Sequence, residues 1–153
     1  MSNQKIPLLI HALSDKIGRE IPLPYYATDG AAAVDIHACL DEPMIIPAGG
    51  QVVVPTGLAV AVPEGYVGIL AVRSSMGIRR GITLSNAIGV IDSDYRGPLG
   101  VGLRNTTGED YVLQPGDRMA QLLVVPVLRP EIHLVEALPE TERGAGGFGS
   151  TGR

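Results

Sequence analysis

The chain has 153 residues and a formal net charge of −4, and only 4% of its residues are aromatic. The negative charge argues against a nucleic-acid polymer as partner, because proteins that bind one usually carry a basic stripe. Cys39 is the single cysteine, which excludes an internal disulfide and suits a reducing compartment. The apolar run near the N-terminus is too short for a signal peptide or a membrane span, so we expect a soluble, cytoplasmic protein without a membrane partner.

The composition favours short strands over long helices. Tryptophan is absent and Phe148 is the only phenylalanine, so the core must be built from aliphatic side chains. The 20 glycines and 12 prolines are spread along the chain, as is typical of strands separated by turns. We predict an all-β, jelly-roll-like distorted barrel with one short helical turn. Residues 1–140 would form the single domain, and residues 141–153 a flexible glycine-rich arm.

Alternating and apolar runs give the order of the predicted elements. The predicted strands cover residues 6–12, 33–40, 44–46, 51–54, 58–62, 66–73, 82–84, 87–91, 99–103, 111–113, 118–128 and 132–138. In the second strand, alternation places Asp35 and His37 on the face opposite Val34. A helical turn is predicted over residues 74–80, with a serine available as its N-cap. The glycine-flanked segment 81–97 has the pattern of a hairpin.

The second run of that hairpin ends in Asp92, Ser93, Asp94 and Tyr95. Two carboxylates at the end of a buried strand are costly unless they have a function. A solvated turn is an equally good explanation on the local pattern alone, because Asp, Ser and Gly are ordinary turn residues. Strand geometry puts Asp92 and Asp94 on the same face, so spacing does not choose between them.

Two further segments have the composition of anion sites. Arg73, Ser74 and Ser75 place a guanidinium and two hydroxyls at a strand end, although simple helix capping explains them equally well. The tail from Arg143 onward combines a cation, glycines and hydroxyls, as a phosphate cradle does, while a disordered terminus is the ordinary alternative. Gln121 interrupts an apolar strand, together with the nearby Arg118, which also suits a sheet edge or a subunit contact.

The order and spacing of these segments resemble the five motifs of the trimeric dUTPase family. The matching segments are Asp35 after a run of small residues, then RSSMG, NAIGVIDSDYRG, PGDRMAQ and the terminal RGAGGFGSTG. The resemblance covers residues 31–153. The departures are small: Val72 replaces a usual proline, Ala33 replaces a common glycine, and Gly100 offers a ligand only its backbone.

The resemblance implies Mg²⁺-dependent hydrolysis of dUTP to dUMP and pyrophosphate, by attack of water on the α-phosphorus. Asp92 would be the general base, and Asp94 a supporting or surface residue. Mg²⁺ would be held mainly by the triphosphate, with Asp35 acting through water. The residues that would bind the phosphates are Arg73, Ser74, Ser75, Gln121 and Arg143.

The same resemblance implies how the nucleoside is recognised. Asn86 and the backbone of Val90, Ile91 and Gly100 would read the uracil edge. Tyr95 would pack on the deoxyribose and exclude a 2′-hydroxyl, and Phe148 with Gly149 would close over the substrate from the arm. In the family, the hairpin and the arm come from different subunits, so a homotrimer with shared active sites is expected.

Two alternatives remain at this stage. A dCTP deaminase shares the fold and an Arg-Ser-Ser segment, although the IDSDY segment and the terminal Gly-Phe-Gly favour the triphosphate hydrolase. A non-catalytic nucleotide-binding jelly-roll module would bind dUTP without Mg²⁺-dependent turnover.

Overall fold

The computed structural model describes residues 5–147 of the chain. Within these residues it has ten strands and one helix, which confirms the all-β prediction with a single short helical turn. The strands are β1 (Leu9–Ala12), β2 (Val34–His37), β3 (Met44–Ile46), β4 (Gln51–Ala61), β5 (Tyr66–Val72), β6 (Ile82–Leu84), β7 (Gly89–Ile91), β8 (Pro98–Asn105), β9 (Tyr111–Leu113) and β10 (Arg118–Pro126), and the helix is α1 (Ser74–Arg80). The described helix is too short to cross a membrane.

The described strands form three antiparallel sheets around one aliphatic core. The first sheet has the order β1-β4-β8-β6, the second β2-β10-β5-β7, and the third pairs β3 with β9. Each sheet contributes fully buried side chains to the core, for example Leu103 from the first, Ile36 from the second and Leu113 from the third. Aliphatic packing therefore joins the sheets, as the composition predicted.

Strand β4 is continuous where two strands, over residues 51–54 and 58–62, were predicted. Its pairing with β8 shifts register between Pro55 and Ala59, so the proline lies at an irregularity where its missing N–H is tolerated. The buried Thr56 hydroxyl donates to the Leu99 carbonyl at 2.6 Å and accepts the Leu58 N–H at 3.2 Å. These bonds replace the disrupted ladder, which explains why the Pro-Thr-Gly triplet does not end the strand.

The predicted hairpin over residues 81–97 is wrong in its pairing. Strand β6 pairs with β8 in the first sheet, whereas β7 pairs with β5 in the second. The link between them therefore crosses from one sheet to the other. It contains Ala87 at φ 62°, the one non-glycine residue with positive φ among residues 5–147. The apolar pattern identified both strands, but it carried no information about their partners.

Four smaller predictions also differ from the structure. Residues 132–138 are not a strand, and β10 ends at Pro126 rather than at residue 128. Strand β1 is shorter than the predicted 6–12. The helix has no serine cap, because Arg73 occupies the N-cap position without a side-chain cap hydrogen bond.

Replacing Gly57 by alanine should destabilise the fold more than replacing Gly49. Both glycines have φ near +69°, but a Cβ at Gly57 would lie 2.7 Å from Cys39 Sγ, whereas a Cβ at Gly49 meets nothing within 4 Å. The cost of placing alanine at a positive φ is therefore the same at both positions. Overpacking adds about 1–3 kcal/mol at Gly57 alone. Urea denaturation of Gly57→Ala and Gly49→Ala measures the difference. Equal losses of unfolding free energy would contradict this packing explanation.

Candidate active site

One end of the second sheet carries a cluster of charged side chains. Arg73 follows β5, and its Nε lies 3.0 Å from Asp35 Oδ1 on β2. Arg118 begins β10, and its Nη1 lies 3.3 Å from Asp35 Oδ2. The Asp35 side chain is only 9% exposed, while those of Arg73 and Arg118 are 25% and 45% exposed. One buried carboxylate is thus held between two guanidinium groups that reach the surface.

Strand pairing and chain order bring four of the five predicted phosphate-binding residues to this end of the sheet, all except Arg143. Because β10 lies between β2 and β5, Gln121 is opposite Asp35 on one side and Ala71 on the other. Ser74 and Ser75 are the first residues of α1, directly after Arg73. Two guanidinium groups and one carboxylate leave a net positive charge beside two hydroxyls and an amide. This arrangement is suited to an anionic ligand.

His37 lies beside this cluster and is buried rather than facing solvent. Strand β2 is buried along its whole length, so both of its faces are covered, including the face that carries Asp35 and His37. The Tyr25 ring stacks on the imidazole, with centroids 6.4 Å apart and an interplanar angle of 21°. Burial lowers the pKa of His37, an effect that the Arg118 and Arg73 charges reinforce and the Asp35 carboxylate opposes.

Asp92 lies in a tight turn between β7 and β8. The Tyr95 N–H donates to the Asp92 carbonyl at 3.2 Å, and Arg96 Nη1 donates to the Ser93 and Tyr95 carbonyls at 2.7 and 2.8 Å. Asp92, Asp94 and Tyr95 are exposed. Asp92 and Asp94 line one open cleft of about 860 Å³ together with Val67. Both carboxylates are therefore accessible to a ligand.

A single chain does not bring Asp92 to the charged cluster. In the pairing of β5 with β7, Gly68 is opposite Ile91, which places Asp92 beside Val67 at the start of β5. Arg73 follows the other end of β5, six residues further along. At ~3.3 Å per residue, the two are about 20 Å apart. The Asp92 carboxylate and the two guanidinium groups therefore lie near opposite ends of β5 in the single chain.

The residues predicted to read a base lie near the link between the sheets. Asn86 and Val90 are exposed, whereas the Ile91 side chain is buried, so only the backbone of Ile91 is available to a ligand. Strand β7 is at the edge of its sheet, and an edge strand presents backbone donors and acceptors outward. Gly100 lies on β8. Two residues further along β8, the Gly102 carbonyl accepts the Ser85 N–H at 2.8 Å, which holds the start of the link against this strand.

The predicted arm residues are only partly within the described chain. Arg143 is exposed, and its Nε donates to the Gly146 carbonyl at 2.8 Å. Phe148 and Gly149 lie outside the described residues. Their predicted contact with substrate stays a prediction.

Similarity to known proteins identifies the family. A sequence model of the dUTPase family matches residues 19–152. Over 145 residues the chain is 43% identical to the deoxyuridine 5′-triphosphate nucleotidohydrolase of Idiomarina loihiensis, covering 94% of this chain and 96% of that protein. The chain belongs to the dUTPase family.

Solved structures of dUTPases share its fold. The Staphylococcus bacteriophage 80alpha dUTPase with dUPNHPP matches with a TM-score of 0.81 and 28% identity, over 97% of this chain and all of that one. A dUTPase mutant from phage phi11 of S. aureus, described as revealing the coordination of a structural Mg(II) ion, matches with a TM-score of 0.76 and 25% identity over 88% of this chain and all of that one. These likenesses confirm the predicted jelly-roll, dUTPase-like fold.

The residues of this dUTPase family member fit a metal ion only indirectly. Among residues 5–147 no group of three or more His, Cys, Asp or Glu side chains could hold a metal. Each carboxylate oxygen of Asp35 already contacts a guanidinium. Mg²⁺ keeps several waters and readily takes phosphate oxygens, so Asp35 fits such an ion through water rather than as a direct ligand.

Arg118 is the main residue of the cluster that the predicted site omitted. It lies in the PGDRMAQ motif, next to the predicted Gln121, but the sequence equally suited a sheet edge or a subunit contact. Its pairing with Asp35 joins residues 83 positions apart in the chain. The motif itself was the available signal, and only the fold shows the contact.

His37 should make stability depend on pH. Its pKa is lowered in the folded chain, so the unfolded chain binds more protons once the pH falls below about 6.5. The free energy of unfolding should then decrease until the pH reaches the folded pKa of His37. Urea denaturation between pH 8 and pH 5 should show a smaller decrease for His37→Gln than for the wild type. Parallel curves for the two proteins would contradict this assignment.

Proposed function

We propose that this chain hydrolyses dUTP to dUMP and pyrophosphate, in the cytoplasm, with Asp92 as the general base. The observation that carries the proposal is membership of the dUTPase family. The exposed carboxylate of Asp92, the residue that the motif resemblance assigns as the base, supports it. The Asp92 carboxylate would accept a proton from the water that attacks the α-phosphorus. A positioned base of this kind contributes about 10²–10⁴-fold to the rate.

The charged cluster would bind the triphosphate. Arg73 supplies a guanidinium already oriented by Asp35, and Ser74, Ser75 and Gln121 supply neutral hydrogen-bond donors. Arg143 would add a cation from the arm. When bound, Mg²⁺ supplies neutralisation of the phosphate charge. Because phosphoryl transfer depends mainly on positioning and electrostatics, these contacts would account for much of the catalysis.

The link between the sheets would select the nucleoside. Asn86 and the backbone of Val90, Ile91 and Gly100 would hydrogen-bond the uracil edge. Cytosine reverses that donor and acceptor pattern, and each buried mismatch costs about 1–3 kcal/mol. Tyr95 would pack against the deoxyribose and exclude a ribose 2′-hydroxyl. Phe148 and Gly149 would close over the substrate from the arm, which we take to start at residue 141.

We propose a homotrimer in which each active site is shared between copies. The separation of Asp92 from Arg73 supports this, because a second copy would bring an Asp92 carboxylate to the charged cluster. The segment after β10 supports it too, since Leu128, Ile132 and Leu134 are each more than 90% exposed in the isolated chain. Burying such side chains against another copy is favourable. In a closed ring of three copies, every copy would form the same two interfaces, so no interface surface would remain exposed.

Asp92→Asn should lower pyrophosphate release from dUTP by about 10²–10⁴-fold, because the amide does not accept the proton of the attacking water. Asp94→Asn, from the same cleft, is the matched control and should keep most of the activity. Full activity of Asp92→Asn would reject its role.

The wild type should release pyrophosphate from dUTP and lose this activity in EDTA. Release of ammonia from dCTP, without pyrophosphate from dUTP, would instead identify a dCTP deaminase. Binding of dUTP without turnover would identify a non-catalytic module.

Two inactive variants should restore each other when their subunits are mixed. Asp92→Asn keeps the charged cluster and Arg73→Ala keeps the carboxylate turn. In randomly mixed oligomers, about a quarter of the sites would combine an intact half from each variant. Co-expression followed by a pyrophosphate assay measures the recovery, with light scattering to check for the trimer.

The control mixes Asp92→Asn with Asp92→Ala, a pair that leaves every site without its base. Recovery in the first mixture and none in the second supports a shared site. If neither mixture recovers activity, each site is built within one chain.

A further inference from the structure

The Tyr95 ring lies directly against Gly97. A Cβ placed on Gly97 would come within 2.5 Å of Tyr95 Oη, 2.7 Å of Cζ and 3.0 Å of Cε2. Real Cβ atoms do not approach other atoms this closely, so any larger residue at position 97 must displace the ring or the backbone. Gly97 is not among the residues with positive φ. The position therefore requires glycine for the space that the ring occupies and not for a backbone torsion.

Hydrogen bonds hold the ring in this place. Tyr95 Oη donates to the Pro98 carbonyl at 2.9 Å, which ties the ring across the turn. The Tyr95 N–H donates to the Asp92 carbonyl, and Arg96 holds the carbonyls of Ser93 and Tyr95. Tyr95 remains 44% exposed, so part of its surface is available to a ligand. The turn thus presents the ring in one orientation beside Asp92.

We infer that Gly97 is a positioning residue that determines sugar selectivity through Tyr95. The inference rests on the proposed function, in which Tyr95 contacts the deoxyribose. A methyl group at position 97 would move the ring from the turn and weaken its bond to Pro98. The displaced ring would pack less well on a deoxyribose and would no longer exclude a 2′-hydroxyl at the same place.

Kinetics with dUTP and UTP test this inference. Gly97→Ala should raise KM for dUTP and lower the ratio of kcat/KM for dUTP to that for UTP by about 10–200-fold, the discrimination that a difference of one methylene in a pocket typically provides. Gly108→Ala is the matched control, because a Cβ there meets nothing within 4 Å and its φ is not positive. Its selectivity should equal that of the wild type.

A double-mutant cycle separates positioning from general distortion of the turn. Tyr95→Ala should itself lower selectivity, and adding Gly97→Ala to it should change selectivity little, because the ring that Gly97 accommodates is gone. An equal further loss in the Tyr95→Ala background would overturn the inference. So would unchanged selectivity in Gly97→Ala.

Two measurements keep the outcomes distinct. If circular dichroism shows that Gly97→Ala does not fold, the double variant Tyr95→Ala/Gly97→Ala decides, because removing the ring removes the clash at position 97. A double variant that folds and has the selectivity of Tyr95→Ala supports the inference. One that also fails to fold, or that loses selectivity beyond Tyr95→Ala, overturns it. A wild-type chain that does not hydrolyse dUTP overturns the proposed function itself, whereas an active wild type with an unaffected Gly97→Ala overturns only the role of Gly97.

Discussion

Strand β5 is hydrogen-bonded along both of its edges, and the positions of Arg73, Gln121 and Asp92 follow from this pairing. On one edge, β10 brings Gln121 and the neighbouring β2 to the end where Arg73 emerges. On the other edge, β7 runs antiparallel and delivers Asp92 to the opposite end. Antiparallel pairing thus separates Asp92, the proposed base, from Arg73 and Arg118 by about the length of a strand. The proposed site, which needs both, would combine two copies of the chain, so the proposed chemistry depends on the proposed assembly.

The charge balance at Asp35 explains what the charged cluster of Asp35, Arg73 and Arg118 is able to bind. A buried carboxylate is costly unless it is paired, and Asp35 pairs with both Arg73 and Arg118. The two guanidinium groups are thereby held at fixed positions with one net positive charge left over. A planar guanidinium with remaining free donors is well suited to phosphate oxygens. The carboxylate that orients them has little capacity left for direct metal coordination, so a metal ion would depend on the phosphates of the substrate.

The sequence was sufficient for local features and insufficient for non-local ones. Alternation of apolar residues located most strands, because a strand that packs against a core buries every second side chain. It missed the continuity of β4, which depends on a hydrogen bond from Thr56 to the distant Leu99. It wrongly paired β6 with β7, since the partner of a strand is decided by the rest of the fold. Residues 132–138 have an apolar pattern that predicts a strand, yet they form none, and Ile132 and Leu134 are exposed in the single chain. In the proposed trimer, a second copy would cover these side chains.

The site residues divide in the same way. The order of the five motifs predicts Asp92, Arg73 and Gln121 as site residues, because each lies in a recognisable segment. Arg118 and Gly97 lie in those same segments, but the contribution of each depends on a contact that forms only in the folded chain. Arg118 reaches Asp35 across 83 positions, and Gly97 lies under a ring two residues away.

Gly57 and Gly97 show why the residue type alone was not informative. Both are glycines flanking a strand irregularity or a turn, and sequence reasoning treats them alike. At Gly57 the backbone has positive φ and the space beside it is filled by Cys39, so the position is constrained by torsion and by packing. At Gly97 the torsion is ordinary and only the Tyr95 ring excludes a side chain. Because that ring is half-exposed and lies in the turn that carries Asp92, the constraint at Gly97 acts on the surface offered to a ligand, whereas the constraint at Gly57 acts on the core.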